Sequence, residues 1–287
     1  SQALVGGGEG FRRQAGLMPG TIHFGETAEG VAVVALANPG KFNAMSRAMW
    51  RELRLGFERL QVDNSVRCVI VRGDGGHFCA GGDISEYAGF RFQEESLRAF
   101  HEDDVWGGLQ SMLDCDVPIV AQIEGNCMGA GIEIASCCDI RIASTAARFG
   151  APIARLGFPM APRETELVLR EAGALTVREM LLEAAVFDAA QMLNRGFLNR
   201  IVAVEQCAPE AMATAQRVAT LAPAAARMNK QYIRAFHAQN SLPTLAEYAL
   251  PAIHSIATMT QQAYRYADSP EHREGIAAFV EKRKPVF

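Results

Sequence analysis

The spacing of apolar positions changes several times along the chain, and each change marks an element. Val31 to Leu36 (VAVVAL) is a continuous β-branched and apolar run that predicts a strand, closed by the turn signal Asn38-Pro39-Gly40. From Ala44 to Leu60, Met45, Met49, Leu53, Phe57 and Leu60 recur every three or four residues, which predicts an amphipathic helix. Arg67 to Val71 is the next strand, followed by a loop from Gly73 to Gly82 that holds five glycines. Ile119 to Ile123 reads as a third strand, closed by Gly125; Met128 to Cys138 as a helix of small residues; Asp139 to Ala143 as a further strand. Strands alternating with helices imply an α/β fold with crossover connections.

Beyond about Arg200 the strand pattern stops. Glu205 to Ala222 is alanine-rich and ends at Pro223, which opens a helix more readily than it continues one. Ala224 to Gln239 carries Met228, Tyr232 and Phe236, Leu245 to Tyr266 keeps the helical pattern, and Glu271 to Lys284 is a last short helix. The expected organisation is a flexible N-terminal segment over 1–20, an α/β core over 21–200 and an all-helical region over 201–287. Met and aromatic stripes in that region suit core packing and subunit contacts alike. No fixed-period repeat emerges.

Composition narrows the function classes. Of 287 residues, 49% are hydrophobic and 21% charged, with a formal charge of −4, so the chain has ample apolar material for a core. Lys and Arg are scattered and form no basic stripe, which argues against nucleic acid as a partner. No apolar run reaches the length of a membrane span, and the first twenty residues lack the apolar core of a secretory signal. Seven cysteines form an odd set with no CxxC pair, which reads as small buried hydrophobes in a reducing cytoplasm. Phosphate-binding GxxxxGK[ST], the dinucleotide GxGxxG, the GxSxG elbow and HExxH are all missing, and the six histidines lie far apart. No metal site is expected.

Two glycine-rich segments remain, each placed between a strand and a helix. One is His77-Phe78-Cys79-Ala80-Gly81-Gly82-Asp83-Ile84; the other is Gly125-Asn126-Cys127-Met128-Gly129-Ala130-Gly131-Ile132-Glu133. Small residues just before a helix leave backbone N–H groups unpaired and approachable, and the helix dipole favours negative charge there. Two such amides aimed at one oxygen would form an oxyanion hole. The plainer reading is tight packing of strand ends on helices. Glu133 either offsets the helix start or, if buried beside those amides, serves as an acid/base group.

At these residues the sequence resembles the crotonase superfamily, the enoyl-CoA hydratases and isomerases. The resemblance runs from about Thr21 to Phe287 and takes in Asn38-Pro39, Asn43-Ala44-Met45, both glycine segments, Cys138 to Ala143, Phe149-Gly150-Ala151-Pro152, Leu156-Gly157 and the closing stretch Glu274 to Phe287. It implies a spiral of ββα units, a C-terminal helical trimerisation region, and homotrimers that pair into hexamers. It further implies a CoA thioester as substrate, with no separate cofactor, and a thioester oxygen held between the amides of Gly82 and Ala130. Alanine replaces the usual glycine at 130, and a negative φ there would preserve the donor. Ala80, Asp83 and Ile84 would line the adenine and pantetheine path, with Lys41 and Phe42 beside it. Lys282 would reach the nucleotide of a neighbouring subunit, or simply be a solvated charge.

One departure matters for chemistry. Hydratases of this type use two glutamates twenty positions apart. The first matches Glu133; the second falls at Ile153. Glu164 and Glu166 could replace it, although carboxylates at a helix start are usually capping groups. The expected function is enoyl-CoA hydratase or isomerase. The alternatives are a CoA-thioester hydrolase or decarboxylase of the same fold, or a catalytically silent acyl-CoA-binding oligomer.

Overall fold

The computed structural model describes residues 19–26, 29–239 and 270–286. The expected helix from Leu245 to Tyr266 and most of the N-terminal segment lie outside them. Strands β1 (Thr21–Glu26), β2 (Val31–Ala37), β3 (Cys68–Gly73), β4 (Ile119–Ile123), β6 (Ile140–Ser144) and β9 (Arg200–Val202) form a sheet in the order β1-β2-β3-β4-β6-β9. All its pairs are parallel except β1 with β2. A smaller sheet joins β5 (Asn126–Met128), β7 (Arg148–Gly150) and β8 (Val186–Asp188).

Helix α1 (Arg47–Val62) starts three residues later than its apolar spacing predicts. Ser46 is its N-cap, accepting from the Met49 N–H at 3.2 Å. Met49, Trp50, Leu53 and Phe57 are fully buried on one face of this helix. Each such side chain contributes about 1.5–3 kcal/mol through burial. Helices α2 (Glu94–Ala99) and α3 (Trp106–Asp114) are joined by a π-helical turn over Phe100–Val105. After them come α4 (Ala130–Ser136), α5 (Pro162–Ala172), α6 (Ala174–Leu182) and α7 (Ala189–Asn194).

The repeated unit is structural, not a sequence period. Each of β2, β3, β4 and β6 leads into a short extended stretch that adds to a second ladder and then into a helix. Those stretches are Met45, Cys79, β5 and β7; Met45 bridges Gly82, Cys79 bridges Cys127, and β5 pairs with β7. The expected helix from Met128 to Cys138 is thereby corrected. Asn126 to Met128 is strand because its backbone pairs in parallel with β7, and Gly129, at φ 49 and ψ −110, breaks the chain before α4.

Helix α8 (Cys207–Ala219) lies on the helical side of the expected boundary at 201, yet its Ala211, Ala215 and Ala219 pack on Val31, Cys68, Ile70, Val120 and Ile142. It covers the outer sheet face; alanine lets the helix sit close. Helix α9 (Pro223–Gln239) is tied to the body by Arg227 to the carbonyl oxygens of Gln61, Asp63 and Val66 and by Arg234 to Asp116. Helix α10 (Pro270–Val280) ends four residues earlier than expected, before Lys282 at φ 54. All seven cysteines are buried and free. Among the described residues no helix is long and apolar enough to cross a membrane, and no group of His, Cys, Asp and Glu could hold a metal.

Candidate active site

The two glycine segments are laced together backbone to backbone. Cys79 N–H donates to Asn126 C=O and Met128 N–H donates to Cys79 C=O, both at 2.8 Å. On the other side, Met45 N–H donates to Gly81 C=O and Asp83 N–H to Met45 C=O, again at 2.8 Å. The ladder uses the Gly81 C=O and the Asp83 N–H, the Gly81 N–H donates to Cys79 Sγ at 3.5 Å, and the Gly82 N–H between them is left without an acceptor among the described residues. Gly81 sits at φ 115, a conformation that L side chains rarely adopt. Ala130 is the first residue of α4, so its N–H has no intrahelical acceptor. Its φ is not positive, which meets the condition that the sequence set for alanine there.

Gly82 and Ala130 line one cavity of about 280 Å³ with Ala80, Ile84, Glu133 and Ile153. Lys41, Phe42, Asp83 and Lys282 are not among its lining residues. Asp83 is buried, caps the 3₁₀ turn Ile84–Gly89 through the Ser85 N–H, and binds Lys41 Nζ at 2.6 Å. Burial pushes its carboxyl up, but the Lys41 ammonium and the Ser85 donors outweigh that and hold it below the usual range. Phe42 is exposed and packs against His77 with the rings tilted by 59° and 4.5 Å between centroids; Lys282 is exposed beyond α10.

Glu133 is buried in the first turn of α4, and its carboxyl makes no hydrogen bond to a described residue. Desolvation, reinforced by the charge of Glu164, raises its pKa well above the ordinary carboxylate value. Here burial outweighs the helix dipole, which acts the other way.

Ile153 lies at the cavity wall, packed against the core, so the place of the second glutamate is apolar. Glu164 enters the same cavity from the first turn of α5. It is only 2% exposed. The capping expectation for it is overturned: Ala161 caps α5 with no side-chain bond, and Glu164 Oε1 instead lies 3.1 Å from His101 Nδ1. Glu166 is not among the lining residues.

Sequence reasoning missed Tyr87, Arg91 and His101, all of which line the cavity. The Tyr87 hydroxyl stands where a Cβ on Gly82 would be, and burial pushes its pKa up to about 12, so it stays a donor. His101 lies in the π-helical turn, a feature that often marks functional positions. A switch from α to π winding carries no local sequence signal, which is why His101 read as one isolated histidine.

Comparison with known proteins decides the family. The enoyl-CoA hydratase/isomerase sequence pattern matches residues 26–287. The chain belongs to the enoyl-CoA hydratase/isomerase family. A protein of Mycobacterium leprae named as a probable enoyl-CoA hydratase is 30% identical over 260 residues, covering 90% of this chain and 94% of that protein. The crystal structure of an enoyl-CoA hydratase/carnithine racemase from Magnetospirillum magneticum superposes with a TM-score of 0.83 at 35% identity, covering 93% of this chain and 95% of the other. An enoyl-CoA hydratase from Bacillus anthracis gives a TM-score of 0.81 at 26% identity, over 93% and 98% of the two chains. This family member therefore has the crotonase fold expected from its sequence.

Proposed function

We propose that this chain hydrates an enoyl-CoA, with the thioester oxygen held by the N–H groups of Gly82 and Ala130. The observation that supports the reading best is the presence in one cavity of two unengaged amides and two carboxyl groups, Glu133 and Glu164. As water adds to Cβ, electrons move through the double bond onto the thioester oxygen. Fixed N–H donors stabilise that charge without reorganising, which is commonly worth about 3 kcal/mol per donor. Two proton transfers remain. Glu133, held protonated by burial, delivers a proton to Cα. Glu164, oriented by His101, takes one from the attacking water. A proton returned from Glu164 to Glu133 through solvent resets the pair.

Isomerisation is the second reading, favoured by Ile153. An apolar wall where the family's second glutamate stands would leave Glu133 alone to move a proton between two carbons. A mass-resolved assay over an enoyl-CoA panel separates the outcomes. Gain of water supports hydration; a shifted double bond at constant mass supports isomerisation. Free CoA, loss of carbon dioxide or no change would each sink both. Oligomeric state is a separate matter: the exposed Ile233 and Phe236 on α9 are consistent with a trimer or hexamer.

A further inference from the structure

The cavity carries a cation that the chemistry at the thioester does not use. Arg91 lines the same cavity as Glu133 and Glu164. Its guanidinium carbon lies 3.8 Å from the Phe158 ring centroid and 4.5 Å from that of Tyr87. It forms no ion pair with a described carboxylate, whereas Arg47, Arg51, Arg141, Arg195 and Arg234 each have one. Among the described residues Arg155, also at the cavity, donates only to the Ala184 carbonyl, at 3.4 Å.

We propose that Arg91 binds a carboxylate at the far end of the acyl chain, so that the substrate is a short acyl-CoA ending in an acid. This rests on the acyl-CoA reading above. Two aromatic rings, tilted 71° to each other, hold the guanidinium by cation–π contact, which uses none of its N–H donors and leaves them for a bidentate acceptor. Desolvation works against the charge and outweighs the Tyr87 hydroxyl beside it, and no carboxylate among the described residues pairs with it; an incoming anion would. A cavity of about 280 Å³ suits a short acyl group, for which glutaryl is the probe. A CoA phosphate is the other anion that could reach an arginine. Ala80 and Ile84, on the expected CoA path, line the cavity together with Arg91, so binding of CoA alone is the measurement that separates the two anions.

Calorimetric binding of glutaryl-CoA, pentanoyl-CoA and CoA alone tests this without turnover. Wild type is expected to favour glutaryl-CoA over pentanoyl-CoA by roughly 10–100-fold, the range of a charge-assisted hydrogen bond. Arg91→Gln should cut that ratio about tenfold or more, and Arg91→Lys should keep part of it. A wild-type ratio near one overturns the proposal and needs no folded variant. So does a ratio unchanged in Arg91→Gln, or an equal loss of affinity for CoA alone, which would assign Arg91 to a phosphate. If wild type binds none of the three, the acyl-CoA reading falls with it; binding of both thioesters without preference removes only the role of Arg91.

Discussion

His101 Nδ1 lies 3.1 Å from Glu164 Oε1 across 63 residues of sequence, and this is the one polar contact of the Glu164 carboxyl among the described residues. A carboxyl that is 2% exposed and bound on one side only is costly for stability. Its other oxygen is available to a water molecule in the cavity. Glu164→Gln is expected to lower hydration by roughly 10²–10⁴-fold while CoA affinity holds, the usual worth of a general base. His101→Asn should cost less, about tenfold, because it loses orientation and not the base. Steady-state rates on protein of confirmed melting behaviour check both. A Glu164→Gln variant that hydrates at the wild-type rate beside an inactive Glu133→Gln would show that Glu164 is not the base.

Glu133 should make the fold less stable as pH rises. Its pKa is raised in the folded state, so between the unfolded value of about 4.3 and the folded value the native protein binds more protons than the unfolded chain. Stability is then intact below about pH 4 and falls as pH climbs through the folded pKa. Glutamine has no such ionisation. Glu133→Gln is expected to melt above wild type near neutral pH, with the gap closing toward about pH 4. Melting curves across that range decide; a gap that is constant or widens in acid would contradict the burial argument.

The Gly82 amide can be tested against its neighbour Tyr87. Any Cβ at 82 meets the Tyr87 hydroxyl, so Gly82→Pro both deletes the donor and forces that side chain aside. Tyr87→Phe alone removes the hydroxyl, the atom nearest that Cβ, and reports the baseline with the clash relieved to a tight contact at 3.1 Å with the ring. In the Tyr87→Phe background, Gly82→Pro should cut turnover by roughly 10²–10³-fold with a much smaller change in CoA affinity. Equal losses of turnover and affinity would show Gly82 to be structural.

How far the sequence reaches is clear from particular residues. Strands β2, β3, β4 and β6 and helix α1 are legible because their burial is local and periodic: Met49, Leu53 and Phe57 declare one helix face. Gly82, Ala130 and Glu133 are named through the family resemblance, since the strand-to-helix junctions alone fit plain packing equally well; the structure brings the three to one cavity. The three-residue strands β5, β7 and β8 are not, since so few residues show no period and their pairing depends on partners far along the chain. Arg91 and His101 are hidden for a related reason, and Glu164 is legible only as one of two candidate replacements for the second glutamate. Their meaning lies in what surrounds them, which is two aromatic rings for one and each other for the remaining two.

The exchange of Ile153 and Glu164 offers the sharpest trial of the two-carboxylate reading. Both side chains line the cavity with Glu133. Ile153→Glu alone would place three carboxyl groups there, and like charges in a low-dielectric site repel strongly. The single variant is therefore expected to melt lower and to raise the Glu133 pKa further, with little gain in rate. Glu164→Gln alone should be nearly inactive in hydration. The double variant Ile153→Glu/Glu164→Gln returns the count to two and moves the base to the position that hydratases of the family use. It should recover hydration at least tenfold over Glu164→Gln and melt above Ile153→Glu. Apolar packing is lost at 153, so activity below wild type is expected. Rates for the three variants are compared at equal fraction folded. A folded double variant no better than Glu164→Gln would mean that Glu164 does something in this cavity that a carboxylate at 153 cannot, and the pairing with His101 would then be the part of the mechanism that matters.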